Sequence, residues 1–140
     1  MNLYTIGYEG RTIDEFVAML KSRGVEVLAD VRELPLSRKK GFSKTALGEA
    51  LAQEGIQYKH FREVGNPKHI RKMKASPSHI IKAYDTYMSD KWDDVLGNLS
   101  DVATSKPTCL MCFELEPVEC HRTSIAKQLI SRHSMSLIEL

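Results

Sequence analysis

The chain has 140 residues, 42% of them hydrophobic and 27% charged, with a formal net charge of +2. That length suits one domain over residues 1–140 with a core of its own, and the balance excludes an intrinsically disordered chain. No apolar run approaches the ~20 residues of a bilayer span, so no membrane partner is expected.

The first predicted strand, Asn2 to Ile6, starts without a basic leader and ends in the turn Gly7-Tyr8-Glu9-Gly10. Thr12 and Glu15 form a capping box, and Ile13, Phe16, Val17 and Leu20 recur at helical spacing up to Gly24. Val25 to Ala29 reads as a second strand with Asp30 and Arg32 at its exit. Glu33 to Phe42 carries Pro35, Ser37, Gly41 and three consecutive basic residues, a loop longer than most strand-to-helix connections. Ser43 is placed to cap a helix through Glu54, and Ile56 to Phe61 is the third strand. Glu63-Val64-Gly65-Asn66-Pro67 is turn chemistry, and the basic segment that follows to Ser76 receives no assignment. Ser76-Pro77 starts a helix through Met88, and Asp90 starts another through Ala103 with Trp92, Val95, Leu96 and Leu99 as its buried stripe. Thr108 to Phe113 is a buried strand, Pro117 breaks it, Cys120-His121-Arg122 opens a helix to Arg132, and Met135 to Ile138 is a last short strand.

Strands alternating with helices predict an α/β fold: a mainly parallel sheet of about five strands with helices on both faces, a Rossmann-like three-layer sandwich. In such sheets ligands lie beyond the carboxyl ends of the strands at a topological switch point. The strand exits bring Tyr8 and Glu9, Asp30 and Arg32, His60 and Arg62, and Cys112 and Glu114 to one edge, with Cys120, His121 and Arg122 just beyond. The charge is uneven as well. Between Arg32 and Lys74, eleven Lys/Arg against four Asp/Glu give +7, and the remainder carries −5. A basic half of this kind suits a phosphate-bearing or nucleic-acid partner, and equally a solvated face.

All three cysteines lie between 109 and 120, which suits free thiols in a reducing, cytoplasmic setting better than a disulfide framework. Cys112 and Glu114 point to one side, whereas Cys109 faces the other way and reads as core. A carboxylate beside the Cys112 thiol raises its pKa, and His121, Arg122 and a helix N-terminus lower it. Both a nucleophile and a buried inert thiol fit that setting. Arg32 and Arg122, with Ser37 and Arg38 on the long loop, form an anion clamp in one reading, and ion pairs with Asp30, Glu9 or Glu114 that fix the loops in the other. His121 and His60 are the histidines within reach of acid/base work. A zinc reading of Cys109, Cys112, Cys120 and His121 is disfavoured, because a strand C-x-x-C splits its thiols between two faces. No cofactor or metal is therefore expected, although a divalent ion on Glu9 and Glu114 stays open.

Thr5-Ile6-Gly7-Tyr8-Glu9-Gly10, Asp30-Val31-Arg32 with Pro35 and Ser37-Arg38, Gly41-Phe42-Ser43, Tyr58 with His60, and Cys112-Phe113-Glu114 followed by Cys120-His121-Arg122 together resemble the DUF488 family. The resemblance runs from the first strand to the last helix and implies a small cytoplasmic α/β domain. It names no reaction. The residues themselves lead to an enzyme acting on a phosphate-bearing substrate, nucleotide or nucleic acid. In that reading Glu114 or His121 is the acid/base and Cys112 a nucleophile, while Tyr8, Arg32, Ser37, Arg38, His60, Cys120 and Arg122 bind the substrate. The alternative is a non-catalytic nucleic-acid or protein binding module using the basic 32–74 surface.

Overall fold

The computed structural model describes residues 1–140. Five strands, β1 (Asn2–Gly7), β2 (Val27–Asp30), β3 (Gln57–His60), β4 (Thr108–Cys112) and β5 (Ser136–Glu139), form one sheet in the order β3-β2-β4-β1-β5. Every neighbouring pair is parallel. The helices are α1 (Ile13–Ser22), α2 (Lys44–Gln53), α3 (Lys68–Arg71), α4 (Pro77–Met88), α5 (Trp92–Val95), α6 (Gly97–Ser105) and α7 (Arg122–His133). None is long and apolar enough to cross a membrane.

The two-residue period of the strands sorts their side chains into two cores. Tyr4, Ile6, Leu28, Cys109 and Met111 face Phe16, Val17 and Leu20 of α1 and Leu47 and Leu51 of α2. Their alternates Leu3, Ala29, Leu110 and Cys112 pack with Tyr84 and Met88 of α4, Leu99 and Ala103 of α6, and Ile125, Ala126 and Leu129 of α7. The result is the expected three-layer α/β sandwich, with β4 buried along its whole length.

This topology creates a crevice. The exits of β1 and β2 lead into α1 and α2 on one face, whereas β4 lies between those two strands and leads into α7 on the other. Connections that leave in opposite directions part the loops beside β4.

Local chemistry accounts for most element ends. Thr12 accepts a hydrogen bond from the Glu15 amide at 3.1 Å and Ser76 one from the His79 amide at 3.3 Å, capping α1 and α4 as expected. Ser43 precedes α2 but makes no cap bond. Its Oγ instead accepts from the Ser37 amide and donates to the Ser37 carbonyl, tying the base of the 37–43 loop. The single helix expected from Asp90 to Ala103 is two, broken between Val95 and Gly97. A glycine inside the helix weakens it there, and Trp92 and Leu99 both reach the core across the break. A 3-10 turn, Arg62–Val64, overlaps the start of the expected turn, and the unassigned basic segment after it holds the four-residue α3.

Candidate functional site

The crevice contains a cavity of about 200 Å³ whose polar lining includes Tyr8, Arg32, Asn66, Arg71, Glu114 and His121. A second cavity of about 130 Å³ adjoins it and shares Asn66, Arg71, Glu114 and His121. Backbone pairing carries β1 and β4 past their formal ends: the Tyr8 amide donates to the Cys112 carbonyl at 3.2 Å, and the Glu9 amide to the Phe113 carbonyl at 2.9 Å. Two glycines permit the close approaches that shape the walls. A Cβ on Gly7 would lie 1.8 Å from the Glu114 carbonyl oxygen, and one on Gly65 would lie 2.4 Å from the Glu33 Cα. No side chain fits at either place.

Both arginines expected to clamp an anion are committed to the protein itself. Asp30 accepts from Arg32 Nε at 2.9 Å and from Nη2 at 2.7 Å, and Arg32 Nη1 donates to the Phe42 carbonyl at 2.7 Å and Tyr8 Oη at 3.2 Å. Tyr58 Oη adds a 2.5 Å hydrogen bond to Asp30. Burial alone would disfavour the Arg32 cation, but Asp30 outweighs it and raises the pKa above the ordinary arginine value. Arg122 is buried too, and donates to the Glu114 carbonyl at 2.5 Å, the Leu115 carbonyl at 3.1 Å and Cys112 Sγ at 3.2 Å. Burial lowers its pKa.

The cation that faces the cleft is Arg71. Its Nη1 donates to the Asn66 carbonyl at 2.8 Å and to Glu33 at 3.1 Å, and its side chain remains 36% exposed. Arg71, Asn66 and Glu33 were not singled out from sequence. The one signal was the turn chemistry of Gly65-Asn66-Pro67, which starts α3 and swings Arg71 over the cleft.

The sulfurs of Cys112 and Cys120 meet in a disulfide-type contact. The expectation of three free thiols therefore holds only for Cys109, which is fully buried in the opposite layer, where burial pushes its pKa up. Cys112, expected as a nucleophile, has the Cys120 sulfur against its own and accepts from the Arg122 guanidinium at 3.2 Å. His121 Nε2 lies 2.7 Å from the Val31 carbonyl, which only accepts, so Nε2 carries the proton and Nδ1 presents its lone pair 3.8 Å from Cys120 Sγ. Burial holds His121 down to about 4, so the ring is neutral near pH 7 and is not the general acid of the site.

Glu114 Oε2 lies 3.4 Å from Cys112 Sγ, and burial raises its carboxyl pKa. Glu9 Oε1 accepts from the Leu115 amide at 3.0 Å, so it anchors the β4 exit instead of facing an ion with Glu114. Three of the remaining expected residues lie outside the cleft lining. His60 bonds the Arg32 carbonyl at 2.7 Å and faces a separate hollow. Ser37 Oγ accepts from the Lys39 amide at 3.1 Å, and Arg38 is exposed on the loop. Tyr8 stays in the lining, its ring stacked on Phe42 with centroids 4.6 Å apart.

Residues 12–129 match a family model described as a domain of unknown function, DUF488. No curated protein and no solved structure matches the chain. The matched span includes the exits of β2 and β4 and the whole Cys112 to Arg122 stretch, and on it the chain belongs to the DUF488 family.

Proposed function

We propose that the chain is an enzyme acting on a phosphate-bearing substrate, a nucleotide or the end of a nucleic acid, with its chemistry in the crevice beside β4. The observation that carries this reading is the two-sided character of the cleft. Leu34, Leu36 and Phe113 give it an apolar wall although they are 56%, 63% and 45% exposed, and Arg71 with Asn66 gives it a polar one. An apolar wall suits a base, and a guanidinium suits a phosphate. Glu114 lies between the two and is the carboxyl group placed to move a proton. At about 200 Å³ the cavity beside β4 is smaller than the ~300 Å³ at which enclosed ligand pockets begin, so it takes one end of its substrate.

The measurement is thermal stabilisation by nucleotides, dinucleotides and inorganic phosphate. A phosphate-bearing ligand is expected to raise Tm with concentration, and Arg71→Ala to weaken binding by roughly 10- to 100-fold, as for a lost charge-assisted hydrogen bond of ~1.5–3 kcal/mol. Arg71 is the informative position because Arg32 and Arg122 hold loops together. If no phosphate-bearing ligand raises Tm, the reading is wrong.

The exposure of Arg38, Lys40, Lys44, Arg62, Lys68 and Lys72 favours the alternative binding module. It predicts oligonucleotide affinity that falls steeply with salt and survives Glu114→Gln.

A further inference from the structure

We propose that Cys112, Cys120 and His121 form a divalent-metal site at the floor of the cleft, with zinc the preferred ion. Their donor atoms all lie within 4.8 Å of one another, and all three residues are buried. The disfavoured arrangement, a strand C-x-x-C sharing one ion, does not arise, because Cys109 belongs to the opposite layer. Adjacent Cys120 and His121 converge because the backbone bends between them. Cys120 is extended at φ −124 and ψ 138, and His121 turns into α7 at φ −62 and ψ −16.

One spacing is that of ligands around a single ion, and the Cys112 and Cys120 sulfurs must part to reach the other. Tetrahedral zinc with bonds of ~2.3 Å to sulfur and ~2.0 Å to nitrogen places those atoms roughly 3.5 Å apart, and Cys120 Sγ is 3.8 Å from His121 Nδ1. Two thiolates on one such ion stand roughly 3.8 Å apart. The Cα atoms of Cys112 and Cys120 are separated by 7.2 Å, beyond the ~4.4–6.8 Å that a relaxed disulfide spans. That spacing leaves the side chains room to part around an ion.

The partners surrounding these donors are those a metal site needs. The Val31 carbonyl fixes the His121 tautomer with Nδ1 free, the Arg122 amide donates to Cys120 Sγ at 3.4 Å, and the Arg122 guanidinium donates to Cys112 Sγ at 3.2 Å. Two thiolates and an imidazole select zinc over magnesium, calcium or manganese. In the chain reduced to thiols, binding releases the two thiol protons to solvent. Cys112 and His121 line the cleft with Glu114 beside them, so an ion held there would be reached from the cleft. Three protein ligands with an open position are the arrangement of catalytic zinc. The inference deepens the enzyme reading, but metal binding is measured without substrate and stands or falls separately.

The test titrates cobalt(II), then zinc(II), into the full chain after reduction and removal of bound metal by a chelator, with free thiols counted first. One equivalent of cobalt is expected to give thiolate-to-cobalt charge transfer and tetrahedral d–d bands that zinc abolishes, and zinc is expected to raise Tm. Cys112→Ser and Cys120→Ser should lose the band and bind at least ~100-fold more weakly, beyond the 10- to 100-fold effect of an outer partner. His121→Asn should weaken binding, and Cys109→Ser should leave it unchanged. A fully reduced, folded wild-type chain without the charge-transfer band overturns the proposal. So does a band that survives Cys120→Ser, or a Cys112–Cys120 disulfide that resists reduction in the folded protein. Where a variant fails to fold, the wild-type spectrum decides alone.

Discussion

Asp30 and Arg32 are two positions apart and both buried, at 0% and 7% exposure, so each charge depends on the other. Taking a lone ion out of water costs several kcal/mol, and a bidentate partner offsets that cost only while it is present. Asp30→Ala would leave the Arg32 guanidinium with the Phe42 carbonyl and the Tyr8 hydroxyl but no counter-charge. We expect a loss of about 3–5 kcal/mol, read as a shift of the urea midpoint at unchanged slope. A change under 1 kcal/mol would show that water reaches the pair. The same two residues show how far a site is legible in a sequence. Asp-x-Arg at a strand exit fits both an anion clamp and a self-contained ion pair, because residue types and spacing are identical in the two cases. Only the direction of the guanidinium separates them, and that direction is set by the Phe42 carbonyl, ten residues further along the chain, and the Tyr8 hydroxyl, twenty-four residues before it.

Elements were legible wherever the hydrophobic period was long and its ends carried capping chemistry. The strand and helix that flank the β4 exit, and α1 and α4 with their Thr12 and Ser76 caps, fall within a residue or two of expectation. Legibility failed where the period was short or interrupted. The four-residue α3 has too few positions to show a period, so Arg71 could not be placed over the cleft. The α5–α6 break was hidden because Trp92, Leu96 and Leu99 keep helical spacing across it. Gly97 tests that break. It has a helical conformation and open space where a Cβ would stand. Gly97→Ala is therefore expected to stabilise the protein by about 0.4–1 kcal/mol, measured by chemical denaturation. Destabilisation would mean that the break depends on glycine's freedom.

Across the whole molecule, the floor of the cleft and its cationic wall differ in how they are held. Tyr8, Cys112 and Glu114 leave β1 and β4, strands with partners on both sides and burial on both faces. Arg71 comes from α3, four residues set in an otherwise exposed stretch from Lys68 to His79 in which Ile70 is the buried anchor. Local opening requires little where few apolar contacts are lost, and full unfolding where a central strand must be exposed. Hydrogen exchange should therefore be slowest in β4 and β1, faster by at least ~10-fold (about 1.4 kcal/mol) in the edge strands β3 and β5, and fastest in the 66–76 segment. A phosphate-bearing ligand should slow exchange in that segment and leave β4 unchanged, because the ligand orders the wall against a floor already rigid. Zinc should act in the opposite place, slowing the 113–121 connection that joins Cys112 to His121 while leaving residues 66–76 as they were. Ligand protection confined to β4, or zinc protection confined to α3, would break the division of the cleft into a fixed reactive floor and a movable recognition wall.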